Sequence, residues 1–331
     1  MQIISEIKQQ NIFISALDWG NGHLVRTAAL IQKLKENNHI TIFSTQHQSK
    51  FYSHLFPELQ QVFIQPYNIN FYPEHIFKNI FSAKNFFYAI QKEQSFLFKY
   101  IQNTDKKPDI IISDNRYGFY HPDFKSILIT HQLHLYLPKV FIPFNWLMKK
   151  FLKNFDEIWI PDYAEEEMSL AGRLSHPKEQ YKNIRYIQPL SLMKKNHQEK
   201  IIDYLFIVSG TQAERRYYEE MFYKDALQLL NENKNLNIKI TGSIRQDGKV
   251  LLGWRNFKEM NDFILSSKNI ISRPGYSTLM DWHVIADNTQ NIFLIKPKYQ
   301  YEQRYLFEYW ISKKWAKEWN VKQVPADEFA R

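Results

Sequence analysis

The chain contains no cysteine. That excludes disulfides, zinc–thiolate sites and a cysteine nucleophile, and it fits a reducing compartment. It also has no uninterrupted apolar run of about 20 residues, the length a membrane-spanning helix needs. The first ten residues, MQIISEIKQQ, carry Glu6 and lack the apolar stretch of a secretory signal. A cytoplasmic protein is expected, with the inner face of the membrane as a place of contact. No zinc finger, RNA-recognition signature or long basic arm is present, so nucleic acid is not the expected partner. No Gly-Lys-Ser/Thr follows the turn Ser209-Gly210-Thr211-Gln212, which argues against an ordinary P-loop NTPase.

What is present is long enough for two domains: 331 residues, 44% hydrophobic and 16% aromatic. Basic residues number 43 against 34 acidic ones, a formal net charge of +9. Such an excess suits a phosphorylated substrate or an anionic surface. The basic residues are spread along the chain, with short clusters only at Lys149-Lys150 and Lys194-Lys195. A lysine-favouring genome would give the same excess.

The hydrophobic pattern describes two similar halves. Residues 11–16 read as a strand, followed by a turn through Gly20 and Gly22. A helix from His23 to about Lys35 carries Leu24, Ala28, Ile31 and Leu34 at spacings of three and four. Residues 40–44 read as the next strand. Strand, turn, helix and strand in this order form the unit of a parallel doubly wound sheet. Apolar strands recur at 110–113, 127–130 and 158–160, then at 204–209, 238–241, 269–272 and 292–295. The polar segment 193–200, MKKNHQEK, is the natural linker, giving domains of 1–192 and 193–331. The residues after Lys313 are read as a helix packing back on the first domain. The segment 141–151, FIPFNWLMKKF, would serve either as a core-facing helix or as an anionic-bilayer contact.

Ligands of parallel α/β sheets bind beyond the carboxyl ends of the strands, and the polar residues cluster there. The first group runs from Asp18 to Arg26. Its glycines allow backbone to approach a ligand, and the helix that follows offers free N–H groups and a positive dipole end. His23 is placed as a general base, with Asp18 as the competing base or its partner. Arg26 reads as a contact to phosphate or to a carboxylate such as Asp18. A plain turn and helix cap would use the same residues. The second group, Ser209, Gly210 and Thr211, makes a phosphate cradle at a helix start. The third, Ser272 to Asp281, offers Arg273, Gly275, Ser277 and Thr278 at a helix start, and a carboxylate at Asp281 able to accept two hydrogen bonds from a ribose diol. The fourth holds Gln300, Glu302 and Gln303, suited to sugar hydroxyls. Each group would also serve as ordinary surface polarity. All of them follow strand ends and are expected to converge on one cleft.

Gly20-Asn21-Gly22-His23, Ser209–Gln212, Ser272–Asp281 and Gln300–Gln303 resemble the ordered landmarks of family 28 glycosyltransferases, which include the peptidoglycan N-acetylglucosaminyltransferase. The opening from Ala16 to Arg26 is similar to that of a bacterial branch common in Bacteroidetes. Ser113–Gly118, Thr130–Leu133, Trp159–Asp162 and Leu170–Pro177 resemble that branch as well. The likeness spans roughly residues 12 to 305. It implies a GT-B fold, two Rossmann-like doubly wound domains facing across a cleft. It implies an inverting glycosyltransferase, a hexosyl or N-acetylhexosaminyl transferase of cell-surface glycan synthesis. Its donor would be a nucleotide-diphosphate sugar, UDP-linked by family likeness. It implies donor contacts at Gly22, Arg26, Ser209, Gly210, Thr211, Arg273, Gly275, Ser277, Thr278, Asp281, Gln300, Glu302 and Gln303. Asp114, Asn115, Arg116, His131 and Gln132 fall on the side of a sugar or lipid-linked acceptor. No cofactor and no metal is implied. Pro274 departs from the small residue common at its place, and Trp19 and Asn21 are bulky where the peptidoglycan enzyme has more glycine. The Gly-x-Gly-His-x-x-Arg pattern is also similar to the nucleotide-sugar hydrolase of the pseudaminic acid pathway, in which the histidine activates water. A non-catalytic membrane- or nucleic-acid-binding protein is the third possibility.

Overall fold

The computed structural model describes residues 2–67, 76–133, 149–177, 181, 183–210, 212–242, 245–247, 250–252, 256–297 and 300–321. The chain divides into two compact units, Met1–Leu190 and Ser191–Arg331.

Unit 1 is built on a sheet of seven strands, β1 (Asn11–Ala16), β2 (His39–Ser44), β3 (Gln60–Phe63), β4 (Ile110–Asp114), β5 (Lys125–Ile129), β6 (Glu157–Ile160) and β7 (Ile184–Tyr186), in the order β3-β2-β1-β4-β5-β6-β7. Every pairing is parallel. The central strands are apolar on both faces; β1, β2 and β4 are buried almost throughout. That pattern belongs to a parallel sheet covered on both sides. The helices are α1 (Gln2–Ser5), α2 (Asn21–Leu34), α3 (Gln46–Leu55) and α4 (Ile76–Asn103). Helix α2 buries Leu24, Ala28, Ile31 and Leu34, the spacing of three and four read in the sequence. Helix α3 starts with a capping box, Thr45 and Gln48 exchanging hydrogen bonds. One core is aromatic: Phe43 lies 5.0 Å from both Phe13 and Phe119, ring centre to ring centre.

Unit 2 holds β8 (Ile202–Ile207), β9 (Ile238–Ile240), β10 (Arg245–Asp247), β11 (Val250–Leu252), β12 (Ser267–Ser272), β13 (Asn291–Leu294) and β14 (Lys317–Glu318). Their order is β10-β11-β9-β8-β12-β13-β14. Only β10 and β11 pair antiparallel. The helices are α5 (Gln212–Glu232), α6 (Phe257–Leu265), α7 (Tyr276–Ile285) and α8 (Tyr301–Ser312).

Two local expectations are corrected. Residues 193–200 are not a free linker. Lys194 N donates to Asn261 Oδ1 at 2.8 Å, Gln198 Nε2 to Asp262 Oδ1 at 2.9 Å and Lys200 Nζ to Leu265 O at 2.6 Å, which ties the segment to α6. The described residues after Lys313 form β14 rather than a helix. Trp319 then enters the core beside Tyr204, Phe206 and Phe293, its Nε1 donating to Asp225 Oδ2 at 2.9 Å. The stretch 134–148, with most of the expected membrane segment, lies outside the described residues, as do 322–331 and Thr211.

Candidate active site

Each sheet has one place where strand order reverses, between β1 and β4 in unit 1 and between β8 and β12 in unit 2. Such reversals leave a crevice at the carboxyl ends of the strands.

In unit 1 the crevice is occupied by four chemically linked side chains. Gly20 precedes α2 with φ 68, a left-handed conformation that glycine adopts without penalty, and a Cβ there would meet nothing within 4 Å. The glycine is therefore set by backbone angle, and no side chain caps the helix it begins. Gly22 lies inside the first turn of α2 rather than in the loop. His23 projects one residue later. Its Nδ1 lies 2.8 Å from Oδ1 of Asp114, the last residue of β4. Arg26 Nη2 stands 2.9 Å from the same Nδ1, so carboxylate and guanidinium compete for that nitrogen; with the proton on Nδ1 toward Asp114, a neutral ring leaves its lone pair on Nε2. The His23 side chain keeps 16% of its surface open, whereas Asp114 is fully buried.

Arg26, three residues on and one helical turn away, approaches the same carboxylate from beneath. Its Nε donates to Asp114 Oδ2 at 2.9 Å and its Nη2 donates to Oδ1. Thr27 Oγ1 donates to Oδ2 at 3.0 Å. Burial alone would raise the Asp114 carboxyl; Arg26, then His23, overcome it and hold the group well below the usual carboxylate range. Arg26 Nη1 also lies 2.9 Å from Nδ1 of His131, which must accept. The arginine is itself buried, with its guanidinium turned to Asp114 and His131.

Asp18 does not join His23. Its Oδ1 accepts from Arg116 Nη1 at 3.2 Å and from Tyr67 N at 3.3 Å. Arg116 is fully buried; its Nε donates to Glu93 Oε1, its Nη2 to Gln65 O at 2.9 Å, and its guanidinium stacks 4.6 Å from the Tyr67 ring. A group so enclosed cannot contact an acceptor directly. Among the expected acceptor-side residues, Asn115 has φ 58 and a buried Oδ1 with no partner. Asparagine tolerates that conformation, and the orphaned oxygen is an acceptor for a ligand hydroxyl. Gln132 is half-buried, with its N bonded to Thr130 Oγ1 at 3.1 Å.

In unit 2 the turns after β8, β12 and β13 are neighbours because those strands are adjacent. Arg273, just past β12, is 2% exposed. Its Nη1 donates to Ser209 O at 3.2 Å and its Nη2 to Glu214 Oε1 at 2.9 Å. Gln300 Nε2 donates to the same Glu214 oxygen at 2.6 Å. The Arg273 Nε is buried without a partner. A Cβ on Gly210 would stand 2.1 Å from Arg273 Nη1, and φ there is 109; the backbone angle asks for glycine, and a side chain would push the guanidinium aside. Helix α7 begins after Gly275 with no side-chain cap, so its first turn presents backbone N–H groups and the positive end of the helix dipole. Asp281 is half-buried. Burial pushes its carboxyl up to about 7, partly offset by Ser191 Oγ, which donates to Oδ1. Its Oδ2 accepts no hydrogen bond from the described residues. Gln303 Oε1 is buried and unpartnered, and Glu302 is half-buried.

The structure thus brings His23, Arg26, Asp114 and His131 together, and separately Ser209, Gly210, Arg273 and Gln300. It does not bring Asp18 to His23. Sequence reasoning placed Asp114 on the acceptor side without pairing it to His23; the signal for that pairing was a carboxylate ending the strand next to β1. Glu214 was missed, although it is an acid in the first turn after a glycine turn.

No protein-family profile matches the sequence, and no curated protein matches it. Solved structures match over nearly the whole chain. The glycotransferase of kitacinnamycin gives a TM-score of 0.66 at 10% identity, covering 97% of this chain and 89% of that one. Phytolacca americana UGT2, complexed with UDP-2fluoro-glucose and pterostilbene, gives 0.62 at 14% identity, with 97% and 89% covered. Acinetobacter baumannii MurG gives 0.56 at 9% identity, with 97% and 88% covered. At these identities the likeness speaks for architecture, and the architecture is the GT-B fold of two Rossmann-like units.

Proposed function

We propose that the chain is an inverting glycosyltransferase that moves a sugar from a nucleotide-diphosphate sugar to an acceptor hydroxyl. The observation that carries this reading is the His23–Asp114 pair at the reversal point of a GT-B unit. His23 Nε2 takes the proton of the acceptor hydroxyl. The acceptor oxygen bonds to the anomeric carbon as the bond from that carbon to the diphosphate oxygen breaks, and the electron pair leaves with the nucleotide. Asp114 fixes the ring tautomer and stabilises the imidazolium that forms. Arg26 keeps Asp114 ionised.

In this reading unit 2 holds the donor. Asp281 Oδ2 accepts from the ribose, the uncapped start of α7 and Arg273 meet the diphosphate, and Gln303 meets the sugar. One similar structure, Phytolacca americana UGT2, holds UDP-2fluoro-glucose, which supports UDP as the carrier. A sugar or lipid-linked acceptor, cell-surface glycan synthesis and contact with the inner membrane face belong to the same proposal. So does independence from a metal.

The test is turnover of UDP-sugars with and without candidate acceptors, with His23→Ala as control. Acceptor-dependent release of UDP that the variant lacks supports transfer. Equally fast release without any acceptor assigns the same His23–Asp114 pair to water, and the chain to nucleotide-sugar hydrolysis.

A further inference from the structure

The turn after β4 is drawn tight by one hydroxyl. Ser113 Oγ donates to Arg116 O at 2.6 Å and accepts from Arg116 N at 3.0 Å. Asn115, inside the turn, takes the left-handed φ of 58. Two charged side chains leave this one turn. Asp114 meets His23 Nδ1 at 2.8 Å, and Arg116 Nη1 meets Asp18 Oδ1 at 3.2 Å. Asp18 and His23 bound the passage from β1 into α2, so a single turn grips that passage at both ends.

The passage has little order of its own. Gly20 and Gly22 lie inside it, and glycine loses more backbone freedom on folding than any other residue. No side chain caps α2, and the N–H groups of a first helical turn have no partners within the helix. Before Asp18 the chain is fixed: Leu17 N donates to Asp114 O at 2.8 Å, and Gln48 Nε2 donates to Ala16 O at 3.1 Å and Leu17 O at 3.3 Å. Asp18 extends that order by one residue, accepting also from Tyr67 N at 3.3 Å. Arg116 already has a carboxylate without it. Its Nε donates to Glu93 Oε1 and its Nη2 to Gln65 O at 2.9 Å, groups of the scaffold around it, while Nη1 reaches the loop. Glu93 is itself held close, because a Cβ on Gly118 would stand 2.4 Å from Ile90 O of the same helix, α4. The Asp18 side chain is the more open partner, 13% exposed against 1% for Arg116.

We propose that Asp18 is a positioning residue: held by Arg116, it fixes the loop that brings His23 onto Asp114. Calling His23 the base rests on the transferase reading; the grip on its loop does not. Misplacing a reacting group by about 1 Å can cost about a hundredfold in rate, so a fixed loop start matters to a base at its far end.

The experiment compares Asp18→Ala and Asp18→Asn with the parent, all as the full chain. Heteronuclear NMR reads the His23 ring nitrogens at alkaline pH, with signals assigned by their loss in His23→Ala. Turnover of a UDP-sugar is measured beside it. The amide oxygen of Asp18→Asn can still accept from Arg116 and Tyr67 N, but it cannot take up a proton as a base does. The parent should show one tautomer, Asp18→Ala a mixture of two, and Asp18→Asn the parent's tautomer. In Asp18→Ala kcat should fall about 10- to 100-fold, in Asp18→Asn by no more than about threefold, with UDP affinity unchanged in both. The parent in enough urea to match the melting temperature of Asp18→Ala should keep one tautomer. A single tautomer with parental kcat in Asp18→Ala overturns the proposal. So does the same mixture in the urea-treated parent, which would make Asp18 a matter of stability alone. Asp18→Asn as slow as Asp18→Ala overturns it too, and makes the carboxylate a base. The ring signals keep the two ideas apart. A mixture in Asp18→Ala, in a chain whose parent turns over no UDP-sugar, upholds the grip and removes the transferase reading. Turnover that His23→Ala abolishes and Asp18→Ala leaves intact does the reverse.

Discussion

Asp114 is the residue on which unit 1 turns, because it is buried, ionised and shared between a base and a cation. Replacing His23 by alanine should cut transfer about 10²–10⁴-fold while leaving UDP affinity unchanged by calorimetry. Asp114→Asn should be worse on two counts. It removes the acceptor that sets the imidazole tautomer, and it leaves Arg26 buried without its carboxylate, which costs roughly 3–5 kcal/mol. A melting curve then falls together with the rate, which His23→Ala does not do. Asp281 shows the opposite electrostatics. Its carboxyl is raised to about 7 by burial, whereas in an unfolded chain it titrates near about 4. The unfolded chain therefore loses this proton first as pH rises. The protein loses stability across that interval, on the order of 4 kcal/mol at most, and the loss is complete above pH about 7. Asp281→Asn should flatten that slope in denaturant titrations. A ribose donating to Asp281 prefers the ionised form, so UDP affinity should rise from about pH 6 to about pH 8 in the parent and stay level in the variant.

At the scale of the element, the first turn of α5 carries its own anion. Glu214 occupies Arg273 and Gln300, the groups that the donor reading assigns to diphosphate and sugar. Glu214→Gln removes a competing charge, and UDP should bind about three- to tenfold more tightly, with a larger melting shift on saturation. If Glu214 were only the counter-ion of a buried arginine, the variant would melt earlier and bind no better. A second element-level prediction concerns the loop after β6. The fully buried Asp162 accepts from Ser169 Oγ at 2.7 Å, Ser175 Oγ at 2.6 Å, Leu170 N at 2.8 Å and Ala171 N at 3.2 Å. Asp162→Ala should destabilise unit 1 by about 2–4 kcal/mol in chemical denaturation. The helix from His23, the strands around it and the polar strand ends were legible in sequence because periods of 3.6 and 2 and the residues after each strand are local signals. The partners were not. His23 and Asp114 are 91 positions apart, Arg116 and Asp18 are 98 apart, and no local pattern marks a buried arginine. Asp18 looked like the partner of His23 because it is near in sequence; the sheet order puts β4 beside β1 and gives that place to Asp114.

At the scale of the whole molecule, the net charge of +9 acts on ligands according to their own charge. Association with UDP should slow as salt is raised; stopped-flow measurements at two ionic strengths would show it. The doubly wound class was legible from the recurrence of strand, turn and helix in both halves. The tail was not, because β14 and Trp319 depend on β13 and β8 already being in place. The cluster around Arg116 has a consequence for the time course of folding. One guanidinium gathers chain positions 18, 65, 67 and 93, so the full cluster waits on the closure of its longest loop. A partly folded chain can own most strands and still lack this cluster. Exchange protection of the Tyr67 N–H, which donates to Asp18, should therefore lag behind regain of secondary structure after dilution from denaturant, which makes that one amide a clock for the last step of assembly.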